Sequence, residues 1–145
     1  MTGFADAKAA IRAFIEENWD GAPIAWPNEG GLEKPNDAAG NATTWIYCEI
    51  VASTSDASRY GSPGKRVKTD TGFVAAHVFV RQGSGVDAGE AIAQDFGEML
   101  EMRSIGAPPA PRMGPATPGG AGQGDDDGRY FRISRTIPFE FHYSV

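Results

Sequence analysis

The chain has one cysteine, two histidines, and no apolar run long enough to cross a membrane. Each shortage excludes a class. A lone Cys48 rules out an internal disulfide framework and a cysteine metal quartet. Its place in an apolar run reads as a small buried hydrophobe and not as a nucleophile. His77 and His142 fall in separate strand-like segments, with no HxxxH or CxxC partner to complete a zinc site. The first six residues lack the basic start and apolar stretch of a signal peptide, so the expectation is a protein kept in the cytoplasm or in something assembled there. Positive charge is also scarce. Thirteen Lys and Arg stand against 19 Asp and Glu, a net charge of −6, which argues against general adhesion to phosphate backbones. An acidic surface would instead let DNA slide past it.

Catalytic constellations are missing as well. No Ser/His/Asp or Cys/His pairing can be assembled from the sequence. Gly61-Ser62-Pro63-Gly64-Lys65 departs from the phosphate-loop spacing: Arg66 stands where a Ser or Thr would bind magnesium, and Pro63 removes an amide donor. Asp125-Asp126-Asp127 lacks the alternation and closing Glu of a calcium loop. No catalytic residue, no cofactor site and no metal site is therefore assigned. A small hydrolase or nucleotide-binding enzyme remains the least favoured class.

What the chain has in excess is Gly and Pro, 29 of 145 residues, which calls for long loops around a modest core. That length fits a single domain, taken as 1–145. Phe4, Ala7, Ile11, Phe14 and Ile15 share a face at helical spacing, predicting a helix over 3–18 that Asp20-Gly21 ends. Ile24-Ala25-Trp26 is a short strand stopped by Pro27. Ile46, Cys48 and Ile50 alternate with Trp45, Tyr47 and Glu49, predicting a strand over 44–52. A polar stretch, 53–65, separates it from a long strand over 66–81 that is apolar on both sides.

Ala88, Ile92, Phe96, Met99 and Leu100 define a second helix over 86–103, with Glu90, Gln94, Glu98 and Glu101 opposite. Residues 107–128 show no periodicity: 11 of 22 are Gly or Pro, so this segment reads as a mobile loop awaiting a partner. Strand character returns over 129–143, where Pro138 marks a bulge or an edge position. The expected fold is α+β: an antiparallel or mixed sheet of about four to five strands with both helices on one face.

Arg59, Lys65, Arg66 and Lys68 form the one basic patch on this acidic chain. The plain reading is a solubilising loop; the sharper one is a docking surface for the acidic helix or the Asp125–Asp127 run of a second copy, with the helix face Glu90, Glu98 and Glu101 as the candidate pair. These seven residues are the candidate subunit interface.

Four stretches, in order along the chain, carry a resemblance. They are Ile11-Arg12-Ala13-Phe14-Ile15-Glu16-Glu17-Asn18-Trp19 with Ile24-Ala25-Trp26-Pro27-Asn28-Glu29, and Thr44-Trp45-Ile46 with Glu49-Ile50-Val51. Next come Gly61-Ser62-Pro63-Gly64 with Arg66, Thr71-Gly72 and His77-Val78-Phe79-Val80, and last Tyr130-Phe131-Arg132-Ile133-Ser134 with Ile137-Pro138-Phe139-Glu140. Together they resemble the tail-terminator-like proteins of long-tailed bacteriophages and gene transfer agents, although the Pro-rich segment 107–128 departs from that pattern. The resemblance implies a structural virion protein in the tail or neck, assembled in the bacterial host cytoplasm. It implies a homo-hexameric ring on the head-proximal end of the tail tube, with the tube protein and the head–tail connector as partners. DNA would only pass through the lumen, and no membrane is involved. Another neck component or a tail-tube subunit is the alternative.

Overall fold

In the computed structural model, residues 3–29, 38–40, 42–59, 62, 65–124 and 128–144 are described. Two helices and six strands appear in the order α1 (Phe4–Asn18), β1 (Ile24–Ala25), β2 (Trp45–Arg59), β3 (Val67–Arg81), α2 (Asp87–Leu100), β4 (Arg112–Met113), β5 (Thr117–Gln123) and β6 (Tyr130–Ser144). The sheet runs β1-β2-β3-β6, and β6 then pairs with β5 over one half and β4 over the other. Only β1 and β2 are parallel. The fold is thus the expected α+β, with six strands, two of them in the segment expected to be a loop.

Both helices cover one sheet face because each carries a single apolar stripe. Ile11 and Ile15 of α1 and Ala93, Phe96 and Leu100 of α2 close over Ile46, Cys48, Val74, Ala76, Val78 and Ile137. Full burial of side chains such as Ile11, Ile15 and Phe96 contributes about 1.5–3 kcal/mol each. Trp19 locks the helices together, its ring meeting Phe96 edge-on at 5.3 Å while its indole N–H donates to the Ala22 carbonyl at 2.9 Å. Arg12 ties the chain after β1 back to α1: it bonds Glu16 at 2.9 Å and Glu29 as a fork, and stacks 4.5 Å from the Trp26 centroid. The bond from Arg12 holds the Glu29 carboxyl below its ordinary range.

The buried stripe of α2 is rotated from the expected one. Ala88 is exposed, and Gly89, Ala93 and Gly97 face the sheet instead. A side chain at Gly89 would run into Val80 and Ile133, and one at Gly97 into Ala116 and Arg135. Small residues here let the helix lie close to β3 and β6, a closeness that a hydrophobicity pattern cannot register.

The polar stretch after residue 52 is strand, not separator, and β2 runs on to Arg59. Residues 52–57 are all exposed, so neither face alternates, and the strand is held by its ladder to β3 and by a hydroxyl contact between Thr54 and Thr71. A register shift between Ala52 and Thr54 sits opposite Gly72, where a Cβ would collide with the Val51 carbonyl and the Phe139 ring. The far half of β2, exposed over 52–57, and the start of β3 form a hairpin arm, while the end of β6 beside it is covered by α1, whose Ala7 packs with Phe141 and Tyr143.

Pro138 interrupts no pairing with β3; Phe73 is its partner in an unbroken register. Its carbonyl accepts the Gly114 N–H at 2.8 Å, so the backbone of Pro138 points away from β3, towards the gap between the β5 and β4 pairings. The missing N–H falls in that gap, the edge-like position expected for a strand proline.

Candidate functional site

The arm places the basic residues at one end of the molecule. Arg59 is the last residue of β2, its backbone opposite Val67; its side chain, like Gly61, Pro63 and Gly64 of the turn, lies outside the described residues. The Lys65 amide donates to the Ser62 carbonyl at 3.0 Å, and Lys65 and Arg66 are exposed. Lys68 is half-buried, with its ammonium 5.9 Å from the Tyr143 ring centroid.

The acidic residues sit elsewhere. Glu90 and Glu98 are exposed on α2, and Glu98 accepts a bond from Gln94 at 3.0 Å. Glu101 differs from both: its half-buried carboxylate accepts the Ala116 N–H at 2.7 Å and tethers the segment between β4 and β5. Because α2 lies over the Ala76–Val80 half of β3, roughly 25 to 40 Å of strand separates it from Lys68. The two patches do not meet within one chain. Asp125–Asp127, the other acidic run, lies outside the described residues.

On the sheet face without helices, strand pairing assembles a polar chain that the sequence did not reveal. Across β2, β3 and β6, Tyr47 is opposite His77 and His77 opposite Ser134. The Ser134 hydroxyl lies 2.7 Å from His77 Nδ1, Glu49 Oε1 lies 3.0 Å from His77 Nε2, and Arg132 Nη1 donates to the Ser134 oxygen at 3.0 Å. For a neutral imidazole facing an ionised Glu49, the proton sits on Nε2 and Nδ1 accepts from Ser134. Aromatic rings flank it: Trp45 stacks on Phe79 with centroids 4.4 Å apart, and Tyr130 meets both rings edge-on.

Chemically, this chain can hold a proton in place. Ser134 is only 4% exposed and already accepts from Arg132, so an electrophile has little approach to its oxygen. The alternation of β2, β3 and β6 placed Glu49, His77 and Ser134 on their strands; only the register brings them together, and register is not written in any one strand.

His142 bonds Thr69 through Nδ1 at 2.7 Å and lies 3.6 Å from Glu140. Cys48 is wholly buried, and burial pushes its thiol up to about 12, leaving it protonated and inert at neutral pH. Among the described residues, no group of three or more His, Cys, Asp or Glu side chains is placed to hold a metal ion, and no helix is long and apolar enough to cross a membrane.

No protein-family model and no curated protein matches the chain. Among solved structures 19 chains match. One of them aligns over 96% of both chains with a TM-score of 0.64 at 17% identity. At that identity the likeness is one of fold.

Proposed function

We propose that this protein is a structural virion component that caps the head-proximal end of a tail tube as a homo-hexameric ring. The ring ends tube polymerisation and offers its other face to the head–tail connector, while DNA passes through the lumen. The observation that supports this reading best is the separation of the basic arm from Glu90 and Glu98 on α2. Opposite charges on different ends of one chain favour head-to-tail contact between copies, which closes into a ring when the rotation allows. The exposed end of the β2–β3 hairpin offers one of the two contact surfaces. Capping then needs only two unlike faces, one complementary to the tube end and one that rejects further tube subunits.

A tail-tube subunit would share the small α+β build but polymerise alone into long cylinders. Electron microscopy of particles made without this protein separates the readings. Overlong or unjoined tails, restored to normal by adding the purified chain, are expected. Tails of normal length already joined to heads would overturn the proposal.

A further inference from the structure

β2 is paired on both sides only at its start. β1 ends at Ala25, opposite Tyr47, and from there to Arg59 the described residues give β2 one neighbour, β3. The Ile46 N–H donates outwards to the Pro23 carbonyl at 2.8 Å, and the register holds without a shift as far as Ala52. Alternation along the strand turns the backbone groups of Ile50 and Ala52 the same way, past the end of β1, where no described residue bonds them. Such an edge is a template for another strand, and proteins guard it with Lys or Pro. Between residues 48 and 58 there is neither, and residues 52–57 are small and exposed. The register shifts at Ala52/Thr54 and Ala57/Arg59 bend this edge without covering it.

The far edge of the sheet is open as well. Among the described residues β5 pairs with β6 alone. The Gly124 N–H donates to the Tyr130 carbonyl at 2.9 Å, so Gly120 and Gly122 face β6 while Ala121 and Gln123 present their backbone outwards. Pro118, without an N–H, and the register shift beside it close the Thr117 end to further pairing.

We propose that the β2 edge pairs with the β5 edge of a second copy, continuing the sheet from one chain into the next. β2 and β5 run in opposite directions, so a copy set alongside in the same orientation meets β2 antiparallel. Two features favour β5 as the occupant. Gly120, Ala121 and Gly122 put neither bulk nor charge in the way of an approaching backbone. Gly120 and Ala121 also share a cavity of about 440 Å³ with Glu90 and Gln94 of α2, whereas Lys65 and Arg66 follow directly on β2. Joining the two edges therefore carries the basic hairpin of one copy towards the acidic helix of the next. The inference deepens the ring reading and rests on it, since two unlike edges of one sheet pair head to tail.

Amide hydrogen exchange of the full natural chain, read dilute and concentrated, tests the pairing. The amides of Ile50, Ala52, Ala121 and Gln123 should exchange about tenfold more slowly or better in the concentrated protein. Those of Val51 and Gly122, which face strands of their own chain, should not change. Ala52→Pro and Ala121→Pro each remove one outward donor at an exposed residue and leave the ladders to β3 and β6 intact. Sedimentation should show self-association weakened about tenfold or more in both. Unchanged exchange at Ile50 and Ala52 on concentration, or a natural chain that stays monomeric throughout, would overturn the pairing. Protection of β2 without β5, or an effect of Ala52→Pro alone, would overturn β5 as the occupant. Tail lengths in particles lacking the protein judge capping separately: overlong tails together with a failure here remove this contact and leave the cap.

Discussion

His77 holds Ser134 across the β3–β6 ladder, Nδ1 to Oγ at 2.7 Å, while its other nitrogen meets Glu49 on β2. One imidazole therefore bridges three strands on the face that no helix covers. Replacing it with an apolar ring keeps the stacking against Tyr47 but leaves a buried hydroxyl with one partner fewer. His77→Phe should lower the unfolding free energy by about 1–2 kcal/mol, with the Glu49 share small because that carboxylate is partly solvated. An unchanged urea midpoint would show that the chain is decoration.

Gly72 gives a harsher case. Its place opposite the β2 register shift puts the Val51 carbonyl and the Phe139 ring where a Cβ would stand. A backbone oxygen cannot swing aside as a side-chain end can. Gly72→Ala should cost about 2–3 kcal/mol, far above an ordinary surface exchange. Gly3→Ala, at a position with open space around it, is the control. Equal melting temperatures for the two variants would refute the close approach.

The legible parts of this fold are those where one face is buried and the other wet. Ile11 and Ile15 announce α1, and the alternation around Ile46, Cys48 and Ile50 announces the buried half of β2. The signal fails where burial is symmetric or absent. Residues 52–57 are exposed throughout, so nothing alternates, although they pair with β3 without loss of strand. Thr117–Gln123 is nearly all Gly and small residues, and is strand only because β6 offers it an edge. Gly89 and Gly97 were invisible for the same reason, since their contribution is the side chain they lack. The charged patches were legible as composition. The Glu49–His77–Ser134 chain and the buried, unbonded Arg135 Nε were not, because both depend on register and on what stands opposite.

Cys48 makes a prediction about alkaline stability. The folded thiol keeps its proton up to about pH 12 because burial disfavours the thiolate, whereas the unfolded thiol loses it near the ordinary cysteine value of 9.0. Between those values the unfolded chain binds fewer protons than the folded one, so stability falls as pH rises, by up to about 1.4 kcal/mol per unit from this group. Below pH 9.0 the group contributes no slope. Cys48→Ala should be less stable than the natural chain at neutral pH because of the methyl-sized void, yet lose stability less steeply above that point. Urea midpoints of both proteins across the alkaline range decide it. A constant offset between the two curves would mean that the thiol ionises alike in both states.

The last prediction concerns assembly. Lys65 and Arg66 are exposed at the end of the arm, and Glu90 and Glu98 are exposed on α2. Glu101 is withheld from the comparison because its carboxylate already binds the Ala116 amide, and replacing it would disturb the β4–β5 segment. Reversing Lys65 and Arg66 together to Glu should leave the monomer folded, since neither side chain is buried, while weakening self-association. The loss should shrink as salt rises, because screening removes the attraction in the natural chain and the repulsion in the variant alike. Adding Glu90→Lys and Glu98→Lys to the same chain restores opposite charge across a head-to-tail contact with the signs exchanged. Sedimentation of the natural, singly reversed and doubly reversed chains should therefore read assembled, dissociated and assembled. If the double reversal stays dissociated while folded, the basic arm meets some other surface, and the charge pairing is wrong even if the ring is right.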